Sequence, residues 1–253
     1  MGKQERYATR ERRAAEAAAK RRARKRNRII ASVGGLVIVG LIVAIVVSLV
    51  NAAGGPKEPT ATGKPLVAPA AATAGGALVL GKATAPVRLE VFLDYMCPYC
   101  GRFERANAGE VDRLVADGTV RLELYPLAFL DKMSNGSRYS TRAANAVATV
   151  ADRAPGQVQA FNRGLFASQP AEGSDGLSDA DIAKLAADAG VPSEVVSQFT
   201  ERTFEPWVVA STSGVFATGV TGTPTVRING SKFSGDLYTV GPLTKAIEAA
   251  KGQ

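Results

Sequence analysis

Alternation of apolar and charged residues marks two strands in the chain. Residues 87–93, VRLEVFL, alternate with a period of two before they become wholly apolar, which predicts a strand that enters the core. Residues 119–124, TVRLEL, show the same period. Between them, residues 101–118 predict an amphipathic helix that ends at Gly118. Its apolar positions are Phe103, Val111, Leu114 and Val115. The order strand, helix, strand predicts a βαβ unit.

A second group of β-prone segments lies near the C-terminus. Residues 225–228 form a short β-prone run, Asn229-Gly230 is a strong hairpin signal, and a second strand is predicted near residues 232–234. Residues 241–250 are predicted to be helical.

The segment between the two groups, about residues 133–218, has helical spacing. A variant of the capping box at residues 178–181 predicts a helix start, and residues 204–216 carry apolar positions at helical intervals. Four large apolar side chains in this segment are assigned to the core rather than to a substrate groove: Phe161, Leu165, Phe166 and Trp207.

An apolar run near the N-terminus, residues 29–50, predicts one transmembrane helix. It has no charged residue, and 17 of its 22 positions are Ala, Val, Ile or Leu. A helix of this length spans about 33 Å, enough for a hydrocarbon core of about 30 Å. Both this run and its leader are longer than those of a signal peptide. The small residues at 51–53 leave cleavage open.

Residues 1–28 explain the formal charge of +8 and the pI near 9.7. They carry twelve Lys or Arg and three Glu, whereas the remaining 225 residues carry 19 basic and 20 acidic side chains. A basic segment beside a transmembrane helix stays in the cytoplasm and contacts anionic headgroups, which accounts for the charge without nucleic-acid binding. The sequence therefore predicts a single-pass cell-membrane protein with residues 51–253 outside the cytoplasm.

Residues 51–76 contain four Pro and five Gly without hydrophobic periodicity, which is typical of a linker. The expected organisation is therefore a basic cytoplasmic leader, a transmembrane helix, a linker and a folded domain over residues 77–253.

The absence of histidine removes several classes of site. Ser-His-Asp and Cys-His catalysis and His-ligated zinc are excluded. The two cysteines, Cys97 and Cys100, form one CxxC motif. Without His or a second Cys pair, a zinc site is not expected. No cofactor is predicted.

The CxxC spacing favours redox chemistry over a structural staple. A bridge that closes so short a loop restrains the unfolded chain little. Cys97 is predicted at the exposed start of the helix, where unpaired N–H groups and the helix dipole favour a thiolate. We therefore expect Cys97 to be the nucleophile and the more buried Cys100 to be the resolving thiol.

The segment VRLEVFLDYMCPYC, residues 87–100, and the loop TGTPT, residues 221–225, carry a family resemblance. With them, about 70% of the chain resembles a membrane-anchored DsbA-like member of the thioredoxin superfamily. The resemblance implies an α/β thioredoxin-like fold with a helical insertion, preceded here by one transmembrane helix. It also implies a cis bond before Pro224 and pairing of the Thr223 backbone with an extended substrate.

The chain departs from the family pattern at two positions. Tyr99, between Pro98 and Cys100, stands where many relatives have His, so a cation that would stabilise the thiolate is missing. Val91 stands where many relatives have a buried acid. Asp94 is the replacement candidate for proton transfer, although it can equally cap the active-site loop.

Arg102 can either favour the thiolate or be a solvated charge near Glu104, and we expect the latter.

These features predict a thiol-disulfide oxidoreductase that forms disulfides in extracytoplasmic proteins. Its expected partners are thiol-containing substrates and a membrane redox partner, which the resemblance suggests is quinone-linked. A disulfide isomerase or reductase is the alternative within the same chemistry. A tethered binding or chaperone module with an inert CxxC is the alternative from another class.

Overall fold

The structure is a computed structural model that describes residues 66–252. The predicted leader, the predicted transmembrane helix at 29–50 and residues 51–65 of the predicted linker lie outside the described residues. Within 66–252, no helix has both the length and the apolar character needed to cross a bilayer.

Five strands form one mixed sheet. They are β1 (Leu78–Leu80), β2 (Val87–Leu93), β3 (Val120–Pro126), β4 (Thr225–Ile228) and β5 (Ser231–Lys232). Their spatial order is β1-β3-β2-β4-β5, with β2 and β3 parallel and all other neighbours antiparallel. The predicted strands are thereby confirmed, and β2, which is buried at six of its seven positions, lies at the centre of the sheet.

The helices that accompany the sheet are α1 (Pro98–Ala116), α2 (Tyr139–Arg153), α3 (Val158–Ala167), α4 (Asp179–Asp188), α5 (Ser193–Val196), α6 (Glu205–Gly214) and α7 (Pro242–Ala250). Helix α1 connects β2 to the parallel strand β3, as predicted for a βαβ unit. Its four predicted core positions are all buried, and Gly118 follows its C-terminus with a φ of +84°.

Helix α7 contacts both α1 and the sheet, and it buries Leu243 and Ile247. The hairpin before it confirms the Asn-Gly prediction, because Asn229 and Gly230 both have positive φ values, 50° and 85°.

Helices α2 to α6 lie between β3 and β4 in the chain and form the helical insertion. The centre of this group is α2, whose small side chains are buried around much of the helix. Ser178 and Asp181 form the predicted capping box at the start of α4. The four apolar side chains assigned to the core of this segment are all buried: Phe161, Leu165, Phe166 and Trp207.

Folded structure begins before residue 77. The backbone N–H of Ala70 donates to Oδ1 of Asp152 at 2.7 Å, and Ala72 forms a β-bridge with Leu78. Composition alone assigned these residues to the linker, because a run rich in Ala, Gly and Pro has no hydrophobic periodicity.

Candidate active site

The CxxC motif lies where β2 ends and α1 begins. Cys97 is the N-cap residue of α1, with extended backbone dihedrals of −73° and 115°, and Pro98 occupies the first turn. Proline is favoured there because a backbone N–H in the first turn has no acceptor within the helix, so its absence costs no hydrogen bond. Cys100 lies one turn further and is fully buried.

The loop at residues 221–225 covers Cys97. The peptide bond between Thr223 and Pro224 is cis, as the resemblance implies. The Sγ atom of Cys97 lies 3.3 Å from the carbonyl oxygen of Thr223. Cys97 is only 5% exposed, so the expectation of an exposed sulfur is wrong, because this loop packs over the helix start.

The two thiols have opposite electrostatic environments. The pKa of Cys97 is lowered from 9.0 to about 6, first by a hydrogen bond from the Cys100 thiol and then by hydrogen bonds from the Thr223 side chain and two backbone N–H groups, although burial opposes the shift. The pKa of Cys100 is raised well above 9.0, mainly by burial. At neutral pH the reduced pair therefore holds one thiolate on Cys97 and one proton on Cys100.

Asp94 supports the loop that leads to the cysteines. Its buried carboxylate accepts hydrogen bonds from the Met96 N–H at 2.8 Å, the Leu130 N–H at 2.9 Å and the Ser140 hydroxyl at 2.6 Å. Burial is the largest cause that raises its pKa to about 6. Its backbone N–H donates to Sγ of Cys100 at 3.5 Å. Asp94 therefore caps the loop, and proton transfer by its carboxylate stays a prediction.

Arg102 does not pair with Glu104. Its guanidinium lies 4.5 Å from the ring centroid of Tyr238 and 5.6 Å from that of Tyr99, at the exposed edge of the site. Glu104 points inward instead, where it accepts a hydrogen bond from Asn162 at 2.7 Å. Arg102 is exposed, as expected of a solvated charge, whereas Glu104 is buried, because positions two apart on a helix point in different directions.

A polar network that the sequence did not predict lies beneath α1. The Tyr95 hydroxyl donates to Oδ1 of Asn162 at 2.9 Å, and Nδ2 of Asn162 donates to Glu104. Burial is the main cause that raises the pKa of Glu104 to about 7. Glu104 and Val91 both line a cavity of about 30 Å³ between the sheet and the helices. The cavity is large enough for about one water molecule.

Gln169, just after α3, is a second residue that the sequence did not predict. Its Nε2 donates to the carbonyl oxygens of Tyr95 at 3.1 Å and Cys97 at 2.8 Å. A Cβ at Gly101 would collide with the Gln169 amide, so the helix and the insertion meet closely here. The insertion thus holds the backbone on both sides of Met96.

Within residues 66–252, no group of three or more Cys, Asp or Glu side chains is arranged to hold a metal ion. The chemistry that the described side chains offer is that of a dithiol with one reactive and one protected sulfur.

Comparison with known proteins identifies the family. The sequence profile of a family described as thioredoxin matches residues 73–249, which include the sheet, the insertion and both cysteines.

The chain belongs to the thioredoxin family.

Solved structures place this thioredoxin-family chain beside bacterial disulfide enzymes. Oxidised DsbA from Mycobacterium tuberculosis is 30% identical with a TM-score of 0.61, and the match covers 70% of this chain and 93% of that one. The disulfide bond oxidoreductase DsbG from the same organism is 29% identical with a TM-score of 0.62, over 72% and 90%. MdbA of Actinomyces oris, a thiol-disulfide oxidoreductase, shares the fold at 23% identity, with a TM-score of 0.61 over 72% and 91%.

Curated relatives match a smaller part. The serine/threonine-protein kinase PknE of Mycobacterium tuberculosis is 35% identical over 122 residues, which is 47% of this chain and 22% of the kinase. The chain thus spans about a fifth of the length of these relatives, and this match does not assign their kinase activity to it. The family, the fold and the dithiol are those of a thiol-disulfide oxidoreductase.

Proposed function

We propose that the protein forms disulfide bonds in extracytoplasmic proteins, with Cys97 as the exchanging sulfur. The observation that carries this proposal is the asymmetry of the two thiols: the Cys97 pKa is lowered to about 6, whereas burial raises that of Cys100. A stabilised thiolate favours the reduced enzyme over its disulfide, and the disulfide is then a stronger oxidant.

The exchange has two steps. A substrate thiolate attacks Sγ of Cys97 in the Cys97–Cys100 disulfide, and Cys100 leaves as a thiolate that takes up a proton. A second substrate thiolate then attacks the substrate sulfur of the mixed disulfide, and Cys97 leaves as a thiolate. Two electrons pass from the substrate to the enzyme. The low pKa of Cys97 makes it the better leaving group in the second step.

The Thr223 backbone is proposed to bind the substrate chain beside Cys97. Its carbonyl oxygen lies next to the reacting sulfur. Pro224 and the motif residues Pro98 and Tyr99 complete the surroundings of that sulfur. Reoxidation needs an electron acceptor, for which we propose a quinone-linked membrane protein.

The reduction potential of the cysteine pair distinguishes formation of disulfides from the reverse reaction. We expect a value well above that of thioredoxin, about −270 mV, when the chain is equilibrated with glutathione redox buffers. A value close to −270 mV would instead favour a reductase. An isomerase is the other alternative, and it would rearrange scrambled disulfides without a net change in thiol content.

A Cys100→Ala variant separates the enzyme from a tethered binding module. Without the resolving thiol, Cys97 stays joined to its substrates, and non-reducing electrophoresis should show trapped partners. The double variant Cys97→Ala/Cys100→Ala is the control, because a binding module would behave alike in both.

We further propose that residues 29–50 anchor the domain in the cell membrane, with residues 1–28 in the cytoplasm. Protease added outside intact spheroplasts should remove the domain and leave the basic leader protected. Complete protection of the domain would contradict this topology.

A further inference from the structure

The exposed face of α1 next to Cys97 carries two arginines. Arg102 and Arg105 are both exposed and lie three positions apart, on one side of the helix. Neither forms an ion pair with another residue of the described range. Arg113 on the same helix, in contrast, pairs with Glu110 at 3.1 Å and with Asp117 at 3.0 Å.

The two arginines line an open groove of about 480 Å³. The opposite side of the groove is the loop before α7, which contributes Tyr238, Thr239 and Val240. Val240 is 72% exposed, so the groove offers an apolar surface as well as positive charge.

The Arg102 guanidinium is held in a defined position. It contacts the rings of both Tyr99 and Tyr238, whose centroids are 5.9 Å apart, and lies to one side of the pair. When a guanidinium stacks on aromatic rings, its N–H groups stay free to donate to a carboxylate that lies in the plane of the guanidinium. Arg105 extends back along the helix, so that its Nη1 would lie 3.2 Å from a Cβ on Gly101.

One acidic residue, Asp236, faces Arg102. Its carboxylate accepts hydrogen bonds from the Tyr238 N–H and the Thr239 hydroxyl, both at 2.7 Å, and forms no ion pair with Arg102. Interaction with Arg102 is a minor cause of its lowered pKa, after those hydrogen bonds. The groove therefore retains an excess of positive charge.

We propose that this groove binds a carboxylate of the substrate chain and thereby selects cysteines that have Asp or Glu nearby. The inference rests on the proposed exchange at Cys97 and names the class of segment that reaches it. Arg102 follows Cys97 by five positions, a rise of about 7–8 Å along a helix. An extended chain covers that distance in about two to three residues. The acidic residue thus lies two to three positions from the substrate cysteine.

The test uses nine-residue peptides with one central cysteine. Glu, Gln or Lys occupies the positions two and three residues from it on both sides. The full chain, oxidised and in a neutral detergent, should react with the Glu peptide about three- to tenfold faster than with the Lys peptide at low salt, as expected for exposed ion pairs. The ratio should fall in 0.5 M salt, because screening weakens such pairs.

Two charge reversals on α1 localise the effect. Arg105→Glu should abolish or invert the preference, and Arg113→Glu, the matched control outside the groove, should retain it. Because the basic leader is present in all variants, only the difference between variants reports on the groove. Measurable exchange at equal rates for the Glu and Lys peptides in the unmodified chain would overturn the proposal, and so would an equal loss of the preference in both variants.

A binding measurement separates this proposal from the proposed function. The Cys97→Ser/Cys100→Ser variant is titrated with dye-labelled peptides whose cysteine is replaced by serine, and anisotropy is recorded. Tighter binding of the Glu peptide that is lost in Arg105→Glu supports the proposed groove, whether or not any peptide exchanges with the oxidised chain. Absence of exchange would overturn the enzymatic proposal alone. Equal binding of all peptides overturns the groove.

Discussion

The side-chain amide nitrogen of Gln169 lies 2.8 Å from the carbonyl oxygen of Cys97, and this hydrogen bond joins the helical insertion to the first turn of α1. The same nitrogen reaches the Tyr95 carbonyl at 3.1 Å. One side chain from a distant part of the sequence thus fixes the backbone that presents the reactive sulfur.

Replacement of Gln169 by Leu should destabilise the domain. It removes both hydrogen bonds, and each contributes about 0.5–1.5 kcal/mol net, so we expect a loss of about 1–3 kcal/mol in urea unfolding. Gln198→Leu is the control, because the Gln198 amide donates to a single exposed carbonyl. Equal stability of the two variants would show that the Gln169 contacts contribute nothing.

A Gly101→Ala substitution should behave unlike Gly→Ala elsewhere in α1. Alanine normally stabilises a helix interior relative to glycine by about 0.5–1 kcal/mol. At Gly109, where an added Cβ meets nothing within 4 Å, we expect that gain. At Gly101 the Cβ displaces Gln169, so the gain should be lost. In a Gln169→Leu background the two glycine positions should respond more similarly, as a double-mutant cycle by urea unfolding would reveal.

Alkylation of the reduced protein should follow the thiolate of Cys97. Since its pKa is lowered to about 6, the rate with iodoacetamide should be half-maximal near pH 6 and then level off. The largest cause of that shift is the hydrogen bond from Cys100, so Cys100→Ala should move the midpoint upward. Mass spectrometry should find the label on Cys97 alone, since the raised pKa of Cys100 keeps that thiol protonated. A midpoint near 9 would contradict the described environment.

Replacement of Glu104 by Gln should change how stability depends on pH. Burial raises the pKa of Glu104 from 4.5 to about 7, so the wild-type protein loses stability as pH rises from 4.5 through 7 and the carboxylate becomes charged. Gln keeps an acceptor for Asn162 without the charge. Well above pH 7 we expect Glu104→Gln to be more stable by about 3 kcal/mol, and below pH 4.5 to differ little.

Glu110→Gln provides the comparison for that measurement. It removes the same charge from an exposed position of α1, where Glu110 pairs with Arg113. Chemical denaturation across pH 4 to 9 should leave its curve parallel to that of wild type. If the curve for Glu104→Gln were also parallel to that of wild type, ionisation of Glu104 would not destabilise the fold.

Much of the thioredoxin core could be predicted because its signals are local. The period of β2, the Asn-Gly hairpin and the CxxC spacing each lie within a few residues. Even Glu104 left a trace, since it follows the buried Cys100 by four positions, which places it on the same side of α1. A charged residue on a helix is usually expected to be exposed, and for that reason the burial of Glu104 was not predicted.

Contacts between distant segments could not be predicted in this way. Gln169 and Asn162 reach the site from the insertion, more than 50 residues from the motif, and a single polar residue in a helix or loop has no pattern of its own. Tyr238 reaches Arg102 from the loop before α7. The burial of Cys97 depends on how the start of α1 packs against the loop that contains Thr223. These two segments are far apart in the sequence, so neither one alone predicts it.

The insertion contacts the active-site segment at two separate places: Ser140 donates to the Asp94 carboxylate, and Gln169 donates to the Cys97 carbonyl oxygen. The insertion therefore cannot be replaced independently of the active-site segment. A chimera that grafts the insertion of another thioredoxin-family protein onto this sheet would have to carry matching partners at both places. Otherwise the graft would alter the reactivity of the cysteines even if every strand and helix formed correctly.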